Sequence, residues 1–491
     1  MVEGELTVLP ETKHLESEQE KEVCSTVDSN IVSEEPRVFD LGESEISSQS
    51  KSLAVLIEKE YEREEKLVRF DAAGDGEGKK EESLESLVVG EESKKSPPLN
   101  LGSFKEESNK IGDLTDFQRQ ALYELKHVVQ KAINANEFEL GNNSEDKQPS
   151  IWGIPLLADD RSDVLLLKFL RARDFKISEA FSMIKNTVQW RLREGIDQIA
   201  IEEPIDDWGQ VVFMHGVDRN NHPVCYNVYG EFQNKELYRK AFSSEEKRVS
   251  FLKWRIQSLE KTIRKLDFSP GGISTIFQIN DLKNSPGLGK RELHLVTRKA
   301  LLILQDNYPE FVAKQVFINV PWWQFAFYAM LSPFISQRTK SKFVFANPAK
   351  TPDTLFKYIA PEHVPVQYGG LSVDSCDCNA EFTADDEATE ITLKPGTKQT
   401  VEIIIYEKCE IVWELRVVGW EVTFSAEFVP ESKEGYPIIL QRPIKKVPSD
   451  GPIEGSSFKV SELGKIWLIV DNASSKKKKL LYRFKVKPFP N

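Results

Sequence analysis

Cysteine and methionine are scarce in this chain, five and four in 491 residues. Cys24, Cys225, Cys376, Cys378 and Cys409 are odd in number and scattered, which argues against a disulfide framework and for a reducing compartment. Cys376 and Cys378 form a lone C-x-C, and none of the six histidines falls at metal-ligand spacing, so no metal site is expected. The nucleotide loops G-x-x-x-x-G-K-[ST] and G-x-G-x-x-G are missing, as are H-E-x-x-H and G-x-S-x-G. "GLGKRE" at Gly287 lacks the first glycine of a phosphate loop and reads as a helix start. No catalytic residue is therefore expected, although a site assembled from distant residues stays open. "MVEGELTVLPETKHLESEQE" has neither a basic start nor an apolar run, so no signal is expected and a cytosolic chain is the default.

A long hydrophobic run is lacking as well. Gln315 to Gln337, "QVFINVPWWQFAFYAMLSPFISQ", holds no charge, but Pro321 and Pro333 interrupt it. The piece between them, Trp322 to Ser332, spans roughly 16 Å as a helix, about half a bilayer. It reads as a strand, "VFINV", followed by a short aromatic helix, "WWQFAFYAML".

What is present is sharply partitioned. Residues 1–112 carry 28 Asp and Glu against 14 Lys and Arg, whereas residues 113–491 hold 50 acidic and 51 basic residues. The first segment, rich in Glu, Ser and Lys, cannot bury enough apolar surface to offset ordering and reads as a disordered acidic tail. Within it "LIEKEYEREEKLVRF" has the i,i+4 pairs of a transient helix. Residues 113–195 read as a helical unit, with capping-box spacing at Thr115 and Gln118 and an apolar stripe at Ile177, Phe181, Ile184 and Val188. In residues 196–371, strands alternate with helices, as in a mixed α/β domain. "HGVDRNNHP" joins the first two strands as a hairpin. An acidic linker covers 372–390, and 391–491 alternates as an all-β sandwich. The near-neutral folded part carries no basic, aromatic-interleaved motif, so nucleic acid is not expected.

The aromatic helix is apolar in nearly every direction, so it either fills an ordinary core or meets something greasy that is not protein. "DVLLLKFLRARDFKISEAFSMI", the run from "LLILQDNYPEFVAKQVFINV" to "KSKFVFA", and "IAPEHVPVQYGG" together resemble the CRAL-TRIO family, typified by yeast phosphatidylinositol transfer proteins. "IVWELRVVGWEVTFSAEFVP" and "IWLIVDNASSKKKKLLYRFKVKP" resemble a GOLD domain. An acidic tail, a CRAL-TRIO unit and a GOLD domain, in that order, are the arrangement of the plant patellins.

The resemblance implies a non-enzymatic, cytoplasmic, peripheral membrane protein that binds and transfers or presents a phosphoinositide or related phospholipid. It also implies a role in membrane trafficking and cell-plate formation during cytokinesis, at the plasma membrane or cell plate. No cofactor is implied beyond the bound lipid. The alternative is an adaptor whose tail and GOLD domain recruit trafficking proteins while the pocket acts as a sensor. The family's headgroup positions fall here on Arg173, Glu310, Thr339 and Lys342; a structural ion-pair set of Arg171, Arg173 and Glu310 is the plainer reading. Phe325, Phe327, Tyr328 and Phe334 are the implied gate, and Phe277, Ile279, Phe317, Phe343 and Phe345 would line walls or core. Lys476, Lys477, Lys478 and Lys479 are either a solvated turn or an anchor to an anionic membrane surface.

Overall fold

The computed structural model describes residues 103–138, 148–203, 208–286, 290–320, 337–373, 381–419, 421–432, 435–446 and 454–489. The four gate residues, the C-x-C pair, the glycines of "GLGKRE" and the transient helix lie outside the described residues. No helix among the described residues is long and apolar enough to cross a membrane.

The helical lobe begins with α1 (Asp116–Asn134), which Thr115 and Gln118 start with the expected capping box. A two-stranded turn, β1 (Ser150–Ile151) with β2 (Ile154–Pro155), precedes α2 (Asp160–Ala172) and α3 (Ile177–Arg193). α2 is the lobe's central helix: Val164, Leu165, Leu166, Leu167, Phe169 and Leu170 are all fully buried. A short α4 (Ile196–Ile199) closes the lobe.

In the α/β lobe a five-stranded sheet runs β3 (Val212–Val217), β4 (Pro223–Val228), β5 (Ile276–Asp281), β6 (Val312–Ile318), β7 (Phe343–Phe345). β3 pairs antiparallel with β4, as the short connection predicts, and the remaining pairs are parallel. The connecting helices are α5 (Lys235–Phe242), α6 (Glu245–Ile263), α7 (Arg291–Asn307) and the single turn α8 (Gln337–Ser341). α9 (Thr351–Tyr358) follows β7. Arg191 of α3 reaches Glu260 of α6 through two bonds of 2.6 and 2.9 Å, both side chains buried, and the Tyr308 hydroxyl donates to the same carboxylate. This buried pair, joined by two hydrogen bonds, fixes the helical lobe on the sheet lobe.

Parallel strands put alternate residues on opposite faces, and here the two faces differ. Val224, Tyr226, Phe277, Ile279, Val316 and Ile318 are at most 1% exposed and pack on Leu355, Phe356 and Ile359 from α9 and its C-terminal end. On the other face Cys225, Gln278, Gln315, Phe317, Phe343 and Phe345 retain accessible surface, while Asn227 and Asn280 are buried.

The C-terminal unit is a sandwich of two antiparallel four-stranded sheets. One orders β13 (Glu454–Val460), β10 (Cys409–Val418), β15 (Lys478–Pro488), β8 (Thr389–Leu393). The other orders β12 (Ile438–Lys446), β11 (Val422–Pro430), β14 (Gly464–Asn472), β9 (Thr397–Ile405). Alternate residues such as Ile403, Trp413, Phe424 and Leu468 fill the space between them. The sandwich is not a bead on a string: Val418 and Leu481 join the core behind the five-stranded sheet, and Arg416 donates to the Gly370 carbonyl at 2.7 Å. The "QYGG" turn makes that contact possible. Gly369 has φ 94°, and a Cβ on Gly370 would lie 2.0 Å from the Val364 carbonyl oxygen.

Two boundaries shift. Residues 104–109 pack on the lobes rather than belonging to a solvated tail, because their side chains find partners that composition alone does not reveal. The end of the expected linker is docked as well, with Phe382 buried and Asp386 paired to Lys485 at 2.6 Å.

Candidate functional site

Parallel pairing brings the N-terminal ends of four strands to one edge, and each is preceded by a polar residue: His222 before β4, Thr275 before β5, Glu310 before β6 and Lys342 before β7. Lys168 and Arg171, one turn apart on α2, come to the same edge. The carboxylate of Glu310 accepts from Lys342 Nζ at 2.7 Å and from Arg338 Nε at 2.8 Å. Glu310 itself sits at φ 54°, a left-handed conformation uncommon outside glycine, and its carbonyl accepts from Lys168 Nζ at 3.0 Å.

Electrostatics follow from this packing. Burial on its own raises the Glu310 pKa, but the charge of Lys342 and the bonds from Arg338 outweigh it and hold the carboxyl at about 2. Burial lowers Lys168 to about 7 against the pull of Glu106 and Glu310. Both ring nitrogens of His222 face carboxylates, Nδ1 at 3.0 Å from Asp218 and Nε2 at 2.7 Å from Glu106, so both carry protons. Burial opposes that charge, yet the hydrogen bonds of Asp218 and Glu106 prevail and lift the pKa to about 9.

Of the four residues implied for a headgroup, Glu310 and Lys342 meet directly. Thr339 is exposed on α8, its carbonyl accepting from the Lys342 amide at 3.1 Å. Arg173 caps the end of α2, donates to the Ala172 carbonyl and does not line the cluster. The arginine that enters is Arg171, because α2 turns it inward while Arg173 lies past the helix end. Sequence reasoning missed Arg338, Lys168 and His222. Arg338 was one residue from the expected Thr339, whereas His222 shows only in the fold, because nothing local marks it.

The wall residues divide by strand parity. Phe277 and Ile279 belong to the sealed core behind the sheet, whereas Phe317, Phe343 and Phe345 form a contiguous aromatic group on the other face, with centroids 5.0 and 5.5 Å from Phe317. On that face Cys225 and Tyr229 keep some accessible surface, and burial pushes both pKa values up. Arg255 donates to Asn227 at 2.8 Å on the same floor, and Asn227 donates to Asn280.

The four-lysine anchor is corrected. Strand alternation turns Lys478 inward, where it is buried and bonded to the Glu421 carbonyl, and Lys479 pairs with Glu390 and Asp353. Lys476 and Lys477 alone are exposed, in a connection between the two sheets of the sandwich rather than a hairpin.

Comparison with known proteins agrees with this architecture. Residues 207–370 match the CRAL/TRIO domain, residues 121–186 its N-terminal domain, and residues 394–478 the Patellin-1-like C-terminal GOLD domain. Patellin-3 of Arabidopsis thaliana is 63% identical over 400 residues, 82% of this chain and 81% of that protein. The chain belongs to the patellin family. Patellin-5 of Arabidopsis thaliana is 62% identical over 404 residues, again 82% of this chain but 59% of that longer protein. Beyond the patellins, a phosphatidylinositol transfer protein, SFH5 of Meyerozyma guilliermondii, is 26% identical over 290 residues, covering 55% of this chain and 82% of its own.

Proposed function

We propose that this protein enfolds one phospholipid with an inositol headgroup and carries or presents it at membranes, without catalysis. The observation that carries this reading is the asymmetry of the sheet. One face is packed closed at its centre by α9, and the other offers Phe317, Phe343 and Phe345 with surface to spare. An acyl chain gains about 0.8 kcal/mol per CH₂ removed from water, so a dry aromatic face is worth on the order of 10 kcal/mol per chain. At the strand edge Lys342, Arg338 and Arg171 supply donors for phosphate, and Glu310 supplies an acceptor for ring hydroxyls. The yeast relative's name, phosphatidylinositol transfer protein, supports the same ligand class. On this reading Thr339 borders the headgroup, Phe325, Phe327, Tyr328 and Phe334 gate the chamber, and the protein is cytoplasmic and peripherally membrane-associated. It acts in membrane trafficking, including cell-plate formation.

The test is phosphatidylinositol transfer between vesicles by the full chain. Transfer is expected to fall at least about tenfold in Lys342→Ala, with the fold checked by thermal unfolding. Equal transfer by a folded Lys342→Ala variant defeats the headgroup assignment. Absence of any phospholipid mass in native mass spectrometry, together with no transfer by the wild type, defeats the reading as a whole.

A further inference from the structure

The cation cluster is already occupied, by the chain itself. Residues 103–110 form no helix or strand, yet they lie across the strand edge. Glu107 bridges Arg171 at 2.7 Å and Arg338 at 2.8 Å. Glu106 bridges His222 and the Thr275 hydroxyl, each at 2.7 Å. Asn109 accepts from Arg171 at 2.6 Å, and the Phe104 ring covers Lys342 Nζ at 4.6 Å and the Arg338 guanidinium at 5.2 Å. The cavity left between strap and cluster is about 20 Å³, room for a water and no more.

We propose that residues 103–109 are an intramolecular stopper for this site, with the Glu106 and Glu107 carboxylates standing where the phosphates of an inositol phosphate group bind. Three features support it. First, a six-membered polyol bearing phosphate cannot enter while the strap is in place. Second, with the strap removed, the only acidic partners of Arg171, Arg338, Lys342 and His222 among the described residues are Glu310 and Asp218, an excess of positive charge that calls for an anion. Third, departure breaks side-chain bonds and a backbone bond from Phe104 N–H to the Ser341 carbonyl at 3.1 Å, but no strand ladder, and Glu106 and Glu107 are each about a third exposed, so water hydrates them as they leave. The strap therefore keeps the cations neutralised until a stronger anion arrives. This inference rests on the headgroup reading above and adds the competitor to it.

The experiment uses the full chain as wild type, Glu106→Gln/Glu107→Gln, Phe104→Ala and Arg338→Gln. Inositol trisphosphate is titrated by calorimetry, and vesicles of phosphatidylcholine with or without phosphatidylinositol phosphate are tested by flotation. The glutamine pair is expected to bind about tenfold or more tightly in one or both arms, because two charge-assisted contacts no longer compete. Gain in both arms assigns the site to inositol phosphate in general; gain with vesicles alone assigns it to the lipid-borne group. Phe104→Ala, which leaves every charge in place, gains affinity in the same direction, and Arg338→Gln loses it. Amides of residues 103–110 in the wild type lose hydrogen-exchange protection when ligand is added. Unchanged or weaker binding by the folded glutamine pair while the wild type binds, or protection gained on ligand addition, overturns the stopper and leaves the headgroup reading standing. No binding by any folded variant in either arm overturns both.

Discussion

The front and back of one five-stranded sheet are built from the same strands and do opposite things. Behind it, Val224, Tyr226, Phe277, Ile279, Val316 and Ile318 are closed off by α9 and by Val418 and Leu481 of the sandwich. In front, side chains one residue away in sequence, such as Cys225, Gln278 and Phe317, keep accessible surface. On the proposed reading, parity along a strand separates stability from binding: the back holds the molecule together, and the front takes the lipid.

The most direct way to break that contrast is matched truncation. Ile279→Ala on the back creates a cavity in a closed core and is expected to cost about 2–5 kcal/mol in urea denaturation. Phe317→Ala on the front removes a larger side chain yet is expected to cost about 1–2 kcal/mol, while phosphatidylinositol transfer drops. Equal stability losses would abolish the distinction between the faces.

A second effect belongs to the strand edge. An imidazolium whose pKa is lifted from 6.5 to about 9 stabilises the fold fully below pH 6.5 and loses that contribution as pH rises to 9. The unfolding free energy should therefore fall across that window by an amount on the order of 3 kcal/mol. His222→Gln should flatten the profile, and a wild-type profile already flat there would remove the charged His222 from the account. Smallest is the effect of the exposed lysines. Lys476→Ala/Lys477→Ala should weaken binding to anionic vesicles by less than about tenfold, with the deficit vanishing in high salt. Lys478→Ala, by contrast, should change stability rather than vesicle binding.

Much of the fold was legible because its signals are local. The Thr115 capping box, the alternation in Val401, Ile403 and Ile405, and the short connection from β3 to β4 each announce their structure within a few residues. β12 and β13 were missed because their burial pattern is weak: Ile438, Ile439 and Ile444 are exposed on an edge strand. Half of the strand-edge cluster was legible too, as Glu310 and Lys342. The rest required the fold. Arg171 and Arg173 are two residues apart in the same motif, and only the end of α2 decides which one points inward. The strap escaped because Glu106 and Glu107 have the composition of the acidic stretch before them, and a carboxylate's partner is not written beside it in the chain.

The hydrophobic interior that Leu481 and Val418 share with Phe356 also means that sequence and energy draw the domain border in different places. Cutting the chain after residue 371 does not release a ready-made carrier; it uncovers greasy side chains on its rear and takes away the Arg416 bond to Gly370. The sandwich is in this sense the rear wall of the vessel, and a grip on it is a grip on the whole molecule.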